Sequence, residues 1–316
     1  MRRFAILLHA LLGLLICLAV SPVRAEGEIK AIPVADRVWM VQGFSALGSV
    51  ANRNFISNAA FFSTAEGVVM IDALGSPALA EALIAEAERV TGQRVTDVLV
   101  THYHADHVYG LQAFTARGVR VIAHAAGRDY LASDTATLRL AASRQELAPW
   151  VDEHTHLVRA DLWIDADTTL VRGGERIELK HVGPAHTPED LVVYLPARRV
   201  LFAGDLVFRG RIPFVGQADS RRWVAALDAL RAAGPKVLVP GHGPVSTDAE
   251  ADLRLTRDYL VFLREAMTEA AQNLEPFDEA YERVDWSRFS SLPLFGLANR
   301  MNAYNTYLLL ERESMK

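Results

Sequence analysis

The stretch Thr101–Gly110, THYHADHVYG, follows an apolar run that ends at Val100 and carries three histidines and an aspartate between positions 102 and 107. If a strand ends here, these residues lie in a loop at the edge of the sheet, where functional side chains are frequent. Burying four such titratable groups without a common partner would cost on the order of several kcal/mol in desolvation. Imidazole and carboxylate are good zinc ligands. The motif therefore predicts a metal site at the end of a strand.

Three later positions repeat this arrangement, with a histidine or aspartate just beyond an apolar run and among glycines and prolines that permit tight turns. They are His186 in GPAHTP, Asp205 in FAGD and His242 in PGHG. Each is weak evidence alone, because a single histidine after a strand is usually an ordinary turn residue. Together with the first motif they predict two neighbouring ligand clusters, which suit a two-metal site.

Strand-like runs and amphipathic helices alternate along both halves of the chain, and no composition shift or linker separates the halves. We expect a strand over Asn54–Phe62, helices over Pro77–Val90 and Asp129–Leu147, and an irregular stretch over Pro276–Phe295 before a last helix. The pattern predicts an α/β fold, a four-layer αββα sandwich of two packed sheets with helices outside. It also predicts one domain over residues 26–316, with a C-terminal helical tail from about 276 to 316.

These motifs resemble those of the metallo-β-lactamase superfamily. The resemblance rests on HxHxDH at His102–His107, followed in order by the histidine of AHT, the aspartate of AGD and the histidine of GHG. It covers most of the chain after the N-terminus, roughly Val38–His242. The aspartate of VMID, Asp72, matches the aspartate that ends an early strand in this superfamily.

The resemblance implies a role for each of these side chains. One metal ion would be held by His102, His104 and His186, a second by Asp106, His107 and His242, and Asp205 would bridge both. Asp72 would hydrogen-bond a ligand imidazole and fix its tautomer. The ordinary alternative for Asp72 is a turn residue before Gly75.

The implied chemistry is hydrolysis with two zinc ions as cofactors. A hydroxide bridging the metals would attack a carbonyl of a small ester-like or thioester-like substrate, with Asp106 able to assist the leaving group. The pattern is most similar to exported hydrolases of the glyoxalase II type, including those that accompany quinoprotein dehydrogenases or sulfur oxidation. Asp205 disfavours a lactam hydrolase, which usually has cysteine or serine there. A lactamase-like amide hydrolase and a single-iron persulfide dioxygenase remain as alternatives.

Residues 1–25 begin with two arginines, continue with the apolar run Phe4–Val20 and end in a small-residue pattern at Ala25. This is typical of a secretory signal peptide and predicts export, to the periplasm. Cleavage would leave no stable membrane span. An uncleaved anchor is the alternative, although an apolar run of 17 residues is at the lower limit for crossing a bilayer.

The charge and the cysteine content narrow the possible partners and mechanisms. The net charge is −5 without a basic stripe, which argues against nucleic acid as a partner. The charge says little about a small-molecule substrate, which is instead implied by the resemblance to hydrolases. Cys17, inside the predicted signal peptide, is the only cysteine. The mature chain therefore has no thiolate for catalysis or metal binding. The oligomeric state is left open by the sequence.

Other candidate side chains have a simpler interpretation. His154 and His156 form another HxH, but charged neighbours predict a solvated loop, and His124 and His181 are expected at strand ends. Four aromatic residues could floor a substrate pocket, although core packing is the more frequent role of such residues. They are Phe44, Tyr103, Trp163 and Phe208.

Overall fold

The computed structural model describes residues 29–315. The predicted signal peptide, residues 1–25, lies outside the described residues. None of the helices within residues 29–315 combines the length and hydrophobicity that a bilayer crossing requires.

Within the described part of the chain, the strands are β1 (Ile32–Ala35), β2 (Val38–Val41), β3 (Ala59–Thr64), β4 (Gly67–Ile71), β5 (Val95–Leu99), β6 (Arg120–His124), β7 (Leu162–Ile164), β8 (Thr168–Arg172), β9 (Glu175–His181), β10 (Leu191–Leu195), β11 (Val200–Phe208) and β12 (Val237–His242). The helices are α1 (Pro77–Thr91), α2 (Ala105–Val108), α3 (Leu111–Thr115), α4 (Gly127–Leu131), α5 (Asp134–Glu146), α6 (Ser220–Ala232), α7 (Ala249–Gln272), α8 (Phe277–Glu282) and α9 (Phe295–Ser314).

The strands form two sheets that divide the chain into halves. The first sheet has the order β1-β2-β3-β4-β5-β6-β7, antiparallel from β1 to β4 and parallel from β4 to β7. The second has the order β12-β11-β10-β9-β8, with only the β11–β12 pair parallel. Parallel neighbours need a crossover, and α1 and α6 supply two of these connections.

Three clusters of buried apolar side chains show how the layers stack. One joins the first sheet to α1 and α3, and a second joins the second sheet to α6, α7 and α9. The third lies between the sheets, where Phe62 of β3 stacks on Phe202 of β11 with ring centroids 6.2 Å apart. Three such interfaces define four layers, so the predicted αββα sandwich is confirmed.

The helix α1 illustrates how local sequence fixes these layers. The Ser76 side chain accepts a hydrogen bond from the backbone N–H of Leu79, Pro77 occupies the first turn, and Gly92 ends the helix with φ 67°. Its buried face, which includes Leu79 and Leu83, covers the first sheet.

Three expectations about local structure were wrong in detail. The strand expected over Asn54–Phe62 begins only at Ala59. Positive φ at Asn54 interrupts the extended backbone, and residues 55–58, which lead into the strand, are irregular. The single helix expected over Asp129–Leu147 is interrupted where Ser133 caps the start of α5. The tail stretch expected to be irregular contains α8. The boundaries of one domain over residues 26–316 stay a prediction.

Candidate metal centre

The HxHxDH motif lies at the carboxyl end of β5, in the middle of the first sheet. Residues 100–104 form a short loop, and α2 then begins at Ala105, so Asp106 and His107 belong to a helical turn. The strand β4 lies beside β5 and ends next to it at Asp72, whose φ of 62° turns the chain sharply. The two strand ends therefore bring Asp72 close to the motif.

The remaining predicted ligands come from the second sheet. His186 lies in the loop after β9, and His242 is the last residue of β12. Asp205 was expected just beyond a strand, but it lies inside β11, which continues to Phe208. The pairing of β11 with β12 is irregular between Phe202 and Phe208, and Gly204 there has φ 51°. This bulge lets a strand residue turn toward the site.

The structure brings all seven predicted ligand residues together at one end of the two sheets. They form two groups, and the candidate ligand atoms of each group lie within 4.8 Å of one another. The first group is His102, His104, His186 and Asp205, and the second is Asp106, His107 and His242. Their roles as ligands stay a prediction, because the geometry alone does not identify an ion.

Asp205 lies between the two groups. Its Oδ2 is 3.5 Å from Nε2 of His186 in the first group and 3.3 Å from Nε2 of His242 in the second. Its Oδ1 is 3.2 Å from Nε2 of His107. This is the position that a bridging carboxylate requires.

Three imidazoles are held with Nδ1 turned away from the centre and Nε2 turned into it. Nδ1 of His107 lies 2.8 Å from Asp72 Oδ2, Nδ1 of His242 lies 2.7 Å from the carbonyl oxygen of Ile56, and Nδ1 of His102 lies 3.0 Å from Thr101 Oγ1. A partner on one ring nitrogen fixes the tautomer and leaves the other free as a ligand.

His104 is turned the other way. Its Nδ1 lies 3.0 Å from Nε2 of His186, so both nitrogens face the same point in the first group. The first group thus presents a mixed set of Nδ1 and Nε2 donors.

The carboxylate of Asp106 contributes to the second group, with Oδ2 3.4 Å from Nε2 of His242.

Buried polar atoms without partners test whether a metal fits these residues. Among residues 29–315, Nε2 of His102, Nε2 of His107 and Oδ1 of Asp205 are buried and have no hydrogen-bond partner. Buried polar atoms are almost always satisfied, so several orphans facing one point need an explanation. Coordination of cations would satisfy them, and the donor set of imidazoles and carboxylates is one that zinc accepts.

The protonation preferences of the site follow from burial and from the carboxylates within it. Burial lowers the pKa of His186 to about 3 and the pKa of His102 well below its usual value, which leaves both rings neutral. Burial also opposes protonation of His107, but the carboxylates of Asp205 and Asp106 outweigh it and raise its pKa well above the usual value. His242 and His107 overcome the effect of burial and hold the pKa of Asp205 well below its usual range. Asp205 is thus ionised and available to bind cations.

Two glycines permit the close approach of strands at the site. A Cβ on Gly241 would overlap Oδ1 of Asp205 and lie 2.7 Å from the backbone carbon of Gly204. A Cβ on Gly204 would lie 2.9 Å from the side chain of Thr101. The glycines of AGD and GHG are therefore needed for packing at the centre.

Two residues that organise the site were not among the candidates predicted from the sequence. Thr101 donates to Asp72 through both its backbone N–H and its hydroxyl, at 2.8 Å each. Asn58 donates to the carbonyl oxygens of Pro240 and Gly243, on either side of His242. Thr101 adjoins the HxHxDH motif and could have been suspected, whereas the sequence around Asn58 carries no such signal.

The other candidate residues lie outside the cluster. His154 and His156 are exposed in a loop, as their charged surroundings suggest. His124 and His181 end β6 and β9 and stack on each other, with ring centroids 3.6 Å apart.

The four aromatic candidates divide between the core and the surroundings of the site. Tyr103 and Trp163 stack within the core of the first sheet, and Phe44 packs edge-on against Phe55. Phe208 lies parallel to the His242 ring, with centroids 4.9 Å apart. Only Phe208 therefore contacts a predicted ligand.

The sequence comparisons agree with this geometry. Residues 52–242 match the sequence profile of the metallo-β-lactamase superfamily, and this segment is more than half of the chain. It contains all seven predicted ligands.

Two curated relatives have different named activities. A linear primary-alkylsulfatase of a Pseudomonas species is 28% identical over 257 residues, which cover 69% of this chain and 48% of the alkylsulfatase. The chain thus spans about half the length of that relative. A metallo-β-lactamase type 2 of Bacillus cereus is also 28% identical, over 224 residues that cover 69% of this chain and 78% of the lactamase.

Solved structures show the same fold. A metallo-β-lactamase from Pontibacter korlensis superposes with a TM-score of 0.57 and 28% identity, covering 73% of this chain and 98% of the lactamase. The sec-alkyl sulfatase PisA1 gives a TM-score of 0.71 at 19% identity, covering 89% of this chain and 50% of the sulfatase. At that identity the second likeness concerns the fold alone.

Proposed function

The chain belongs to the metallo-β-lactamase superfamily, and we propose that it is a zinc-dependent hydrolase of a small ester or thioester, acting in the periplasm. One observation carries the proposal: seven ligand-type side chains converge in two groups, with buried donor atoms turned toward the centre. The periplasmic location rests on the N-terminal pattern of residues 1–25.

Two zinc ions would use all seven side chains. His102, His104 and His186 would hold the first ion, Asp106, His107 and His242 the second, and Asp205 would bridge them. When bound, such a pair lowers the pKa of a coordinated water toward ~7 and polarises the scissile carbonyl. The chain itself contributes the orientation of the ligands, through Asp72 and Thr101.

Asp106 is the carboxylate best placed to exchange protons with a substrate. Its side chain is 17% exposed, whereas those of His107 and His242 are 0% and 4% exposed. With His104, which is partly exposed, it marks the side from which a small molecule can approach. We assign Asp106 a second role there, holding a proton for the departing atom of the leaving group.

A metal analysis combined with a substrate panel tests this function. The zinc-loaded mature protein should contain about two zinc ions per chain and should hydrolyse lactoylglutathione or a simple lactone. His102→Ala should lose hydrolysis and bind about half the metal, because ligands in direct contact set the affinity. Full activity of that variant would remove the proposed mechanism.

A sulfate ester is a second candidate substrate. The support is the identity of 28% to a linear primary-alkylsulfatase over 69% of this chain. Dodecyl sulfate in the same panel distinguishes the two candidates, because only sulfatase activity releases inorganic sulfate. Hydrolysis of dodecyl sulfate without turnover of any carbonyl ester would favour this second candidate.

The same experiments separate the remaining alternatives. A lactam hydrolase, which the similarity to the Bacillus cereus enzyme supports, would cleave nitrocefin. A persulfide dioxygenase would contain a single iron ion per chain and would consume oxygen. Two zinc ions and turnover under anaerobic conditions would exclude the dioxygenase.

A further inference from the structure

Glu189 is a buried acidic side chain in the loop between β9 and β10, three residues after the predicted ligand His186. The residue is only 4% exposed and forms no ion pair with any of residues 29–315. Its one hydrogen bond within this part of the chain comes from the backbone N–H of Tyr103, which donates to Oε1 at 3.1 Å. Glu189 is therefore a buried carboxylate without a cationic partner among the described residues.

The hydrogen bond to Tyr103 connects Glu189 to the first ligand group. Tyr103 is the residue between His102 and His104 in the HxHxDH motif, and His186 belongs to the same loop as Glu189. The carboxylate thus contacts the backbone that carries two of the three histidines of this group. It is close in the chain to the third.

The charge of Glu189 also acts on the imidazole of His104. Burial lowers the pKa of His104, and three carboxylates oppose this effect, those of Asp106, Asp205 and Glu189. Asp106 and Asp205 are predicted ligands themselves. Glu189 is thus the one carboxylate of these three that favours positive charge at the first group without being a candidate ligand.

A buried carboxylate is unfavourable unless a positive charge offsets it. Burial lowers the pKa of His102 and of His186, so these neutral rings supply no such charge in the metal-free chain. A divalent cation in the first group would supply it, and the low effective dielectric constant of a buried site makes the interaction strong. Asp72 has the corresponding place in the second group, where its carboxylate lies 2.8 Å from Nδ1 of His107.

We propose that Glu189 is a positioning residue of the first metal group. Its negative charge strengthens the binding of the cation there, and its hydrogen bond to Tyr103 fixes the segment between His102 and His104. The proposal rests on the two-metal hydrolase function proposed above, and it makes the affinity of one ion depend on a residue outside the set of ligands. Residues that support ligands in this way commonly change metal affinity by about 10- to 100-fold.

The competing explanation is that Glu189 only holds its loop in place, through the hydrogen bond from Tyr103. Glutamine separates the two explanations, because its amide oxygen can accept the same hydrogen bond while the charge is lost. If the charge acts on the cation, Glu189→Gln lowers zinc affinity without destabilising the metal-free protein, since that protein is relieved of a buried charge. If only the hydrogen bond matters, the variant resembles the wild type in both properties.

The test measures the zinc affinity of Glu189→Gln and Glu189→Ala by competition with a chromophoric chelator. Each substitution is made in the wild type and in two backgrounds: His242→Ala removes a ligand of the second group, and His104→Ala removes one of the first. Glu178→Gln in β9 is the matched control, because the carboxylate of Glu178 already has a cationic partner in Arg176 at 3.1 Å. Denaturant unfolding gives the stability of each metal-free protein.

We expect Glu189→Gln to weaken the binding of one zinc ion by about 10- to 100-fold, both in the wild type and in His242→Ala, where only the first group is intact. In His104→Ala, where only the second group is intact, the same substitution should change the affinity by no more than about 2-fold. Metal-free Glu189→Gln should be at least as stable as the metal-free wild type. Glu189→Ala should lose at least as much zinc affinity and should also lose stability, and Glu178→Gln should match the wild type in both measurements.

Unchanged zinc affinity of Glu189→Gln in the His242→Ala background would overturn the proposal, as would a lower metal-free stability of Glu189→Gln. Equal losses of affinity in both backgrounds would also overturn it, because the effect would not belong to the first group. None of these measurements depends on turnover. Two bound zinc ions without hydrolysis of any substrate by the wild type would contradict the proposed function, and the zinc titrations would still decide the role of Glu189.

Discussion

Asp72 and His107 form a hydrogen-bonded pair, with Oδ2 of the carboxylate 2.8 Å from Nδ1 of the imidazole. Both side chains are buried, and the pair joins the end of β4 to the short helix α2. The same carboxylate accepts two bonds from Thr101. The position of His107 is therefore fixed by hydrogen bonds among Asp72 and Thr101, which are not themselves predicted metal ligands.

We expect Asp72→Asn to weaken zinc binding by about 10- to 100-fold, because an amide orients the imidazole less firmly and does not strengthen its basicity. Asparagine is the appropriate replacement, since it tolerates the positive φ of 62° at this position. Competition with a chromophoric chelator measures the affinity. Unchanged affinity would show that the hydrogen bond to His107 does not orient a ligand.

Asp205→Ser should reduce the zinc content from about two ions to about one while the fold persists. The reason is that Asp205 is the only predicted ligand whose oxygen atoms lie within 3.5 Å of imidazoles in both groups. Elemental analysis gives the stoichiometry, and circular dichroism checks the fold. Two tightly bound ions in this variant would argue against a bridging role.

Gly241→Ala should destabilise the protein by about 1–3 kcal/mol, because its Cβ would overlap Asp205 and press on the backbone of Gly204. Zinc content should fall as well, since Asp205 must move. Gly296→Ala is the control: this glycine lies in α9 with open space around its Cβ position. Denaturant unfolding should show equal or greater stability for Gly296→Ala, and similar losses in both variants would contradict the explanation.

Asn302→Ala should cost about 1–3 kcal/mol of stability, because it leaves two buried backbone groups unpaired. Asn302 in α9 accepts from the N–H of Val215 at 2.9 Å and donates to the carbonyl oxygen of Pro213 at 2.7 Å. Asn305→Ala, one turn later in the same helix, should have a small effect. Chemical denaturation measures both variants. A loss below about 0.5 kcal/mol for Asn302→Ala would show that water replaces these bonds.

The stacked pair of His124 and His181 predicts a pH effect on stability. Burial, and then the adjacent His181 ring, lower the pKa of His124 below its unfolded value of 6.5. The unfolded chain therefore binds the proton first, and the stability that the neutral ring contributes is complete above pH 6.5 and declines below it.

His124→Asn should remove this decline, because an amide oxygen can replace Nδ1 as the acceptor for the N–H of Ala126. The thermal midpoint of the zinc-loaded wild type should fall between pH 7.5 and pH 5.5 by on the order of 2 °C more than that of the variant. His156→Asn, at an exposed position, should follow the wild type. Identical curves for wild type and His124→Asn would exclude the stacked pair as a source of acid sensitivity.

The sequence alone could predict the cluster because its ligand motifs follow or end apolar runs, among glycines that mark the end of a strand. Asp205 shows the limit of such reasoning: it lies inside β11, and only the irregular pairing around Gly204 turns it inward. Periodicity does not detect a bulge, since the flanking residues remain apolar. The residue was found through the motif that contains it.

The polar residues that hold backbone groups from distant parts of the chain were harder to find. Asn58 and Asn302 act through backbone groups more than 80 positions away in the chain, at Gly243 and Val215. A single asparagine in a sequence is usually a turn or surface residue, and nothing in its neighbours shows otherwise.

The two groups of ligands draw on both sheets, from His102 in the first half of the chain to His242 at the end of β12. Neither half alone can therefore supply a complete set of ligands for an ion. Each set is complete only when the two sheets have packed against each other. Metal uptake would then be a late event that reports the finished tertiary structure. In an exported chain, this order would delay activity until folding is complete outside the cytoplasm.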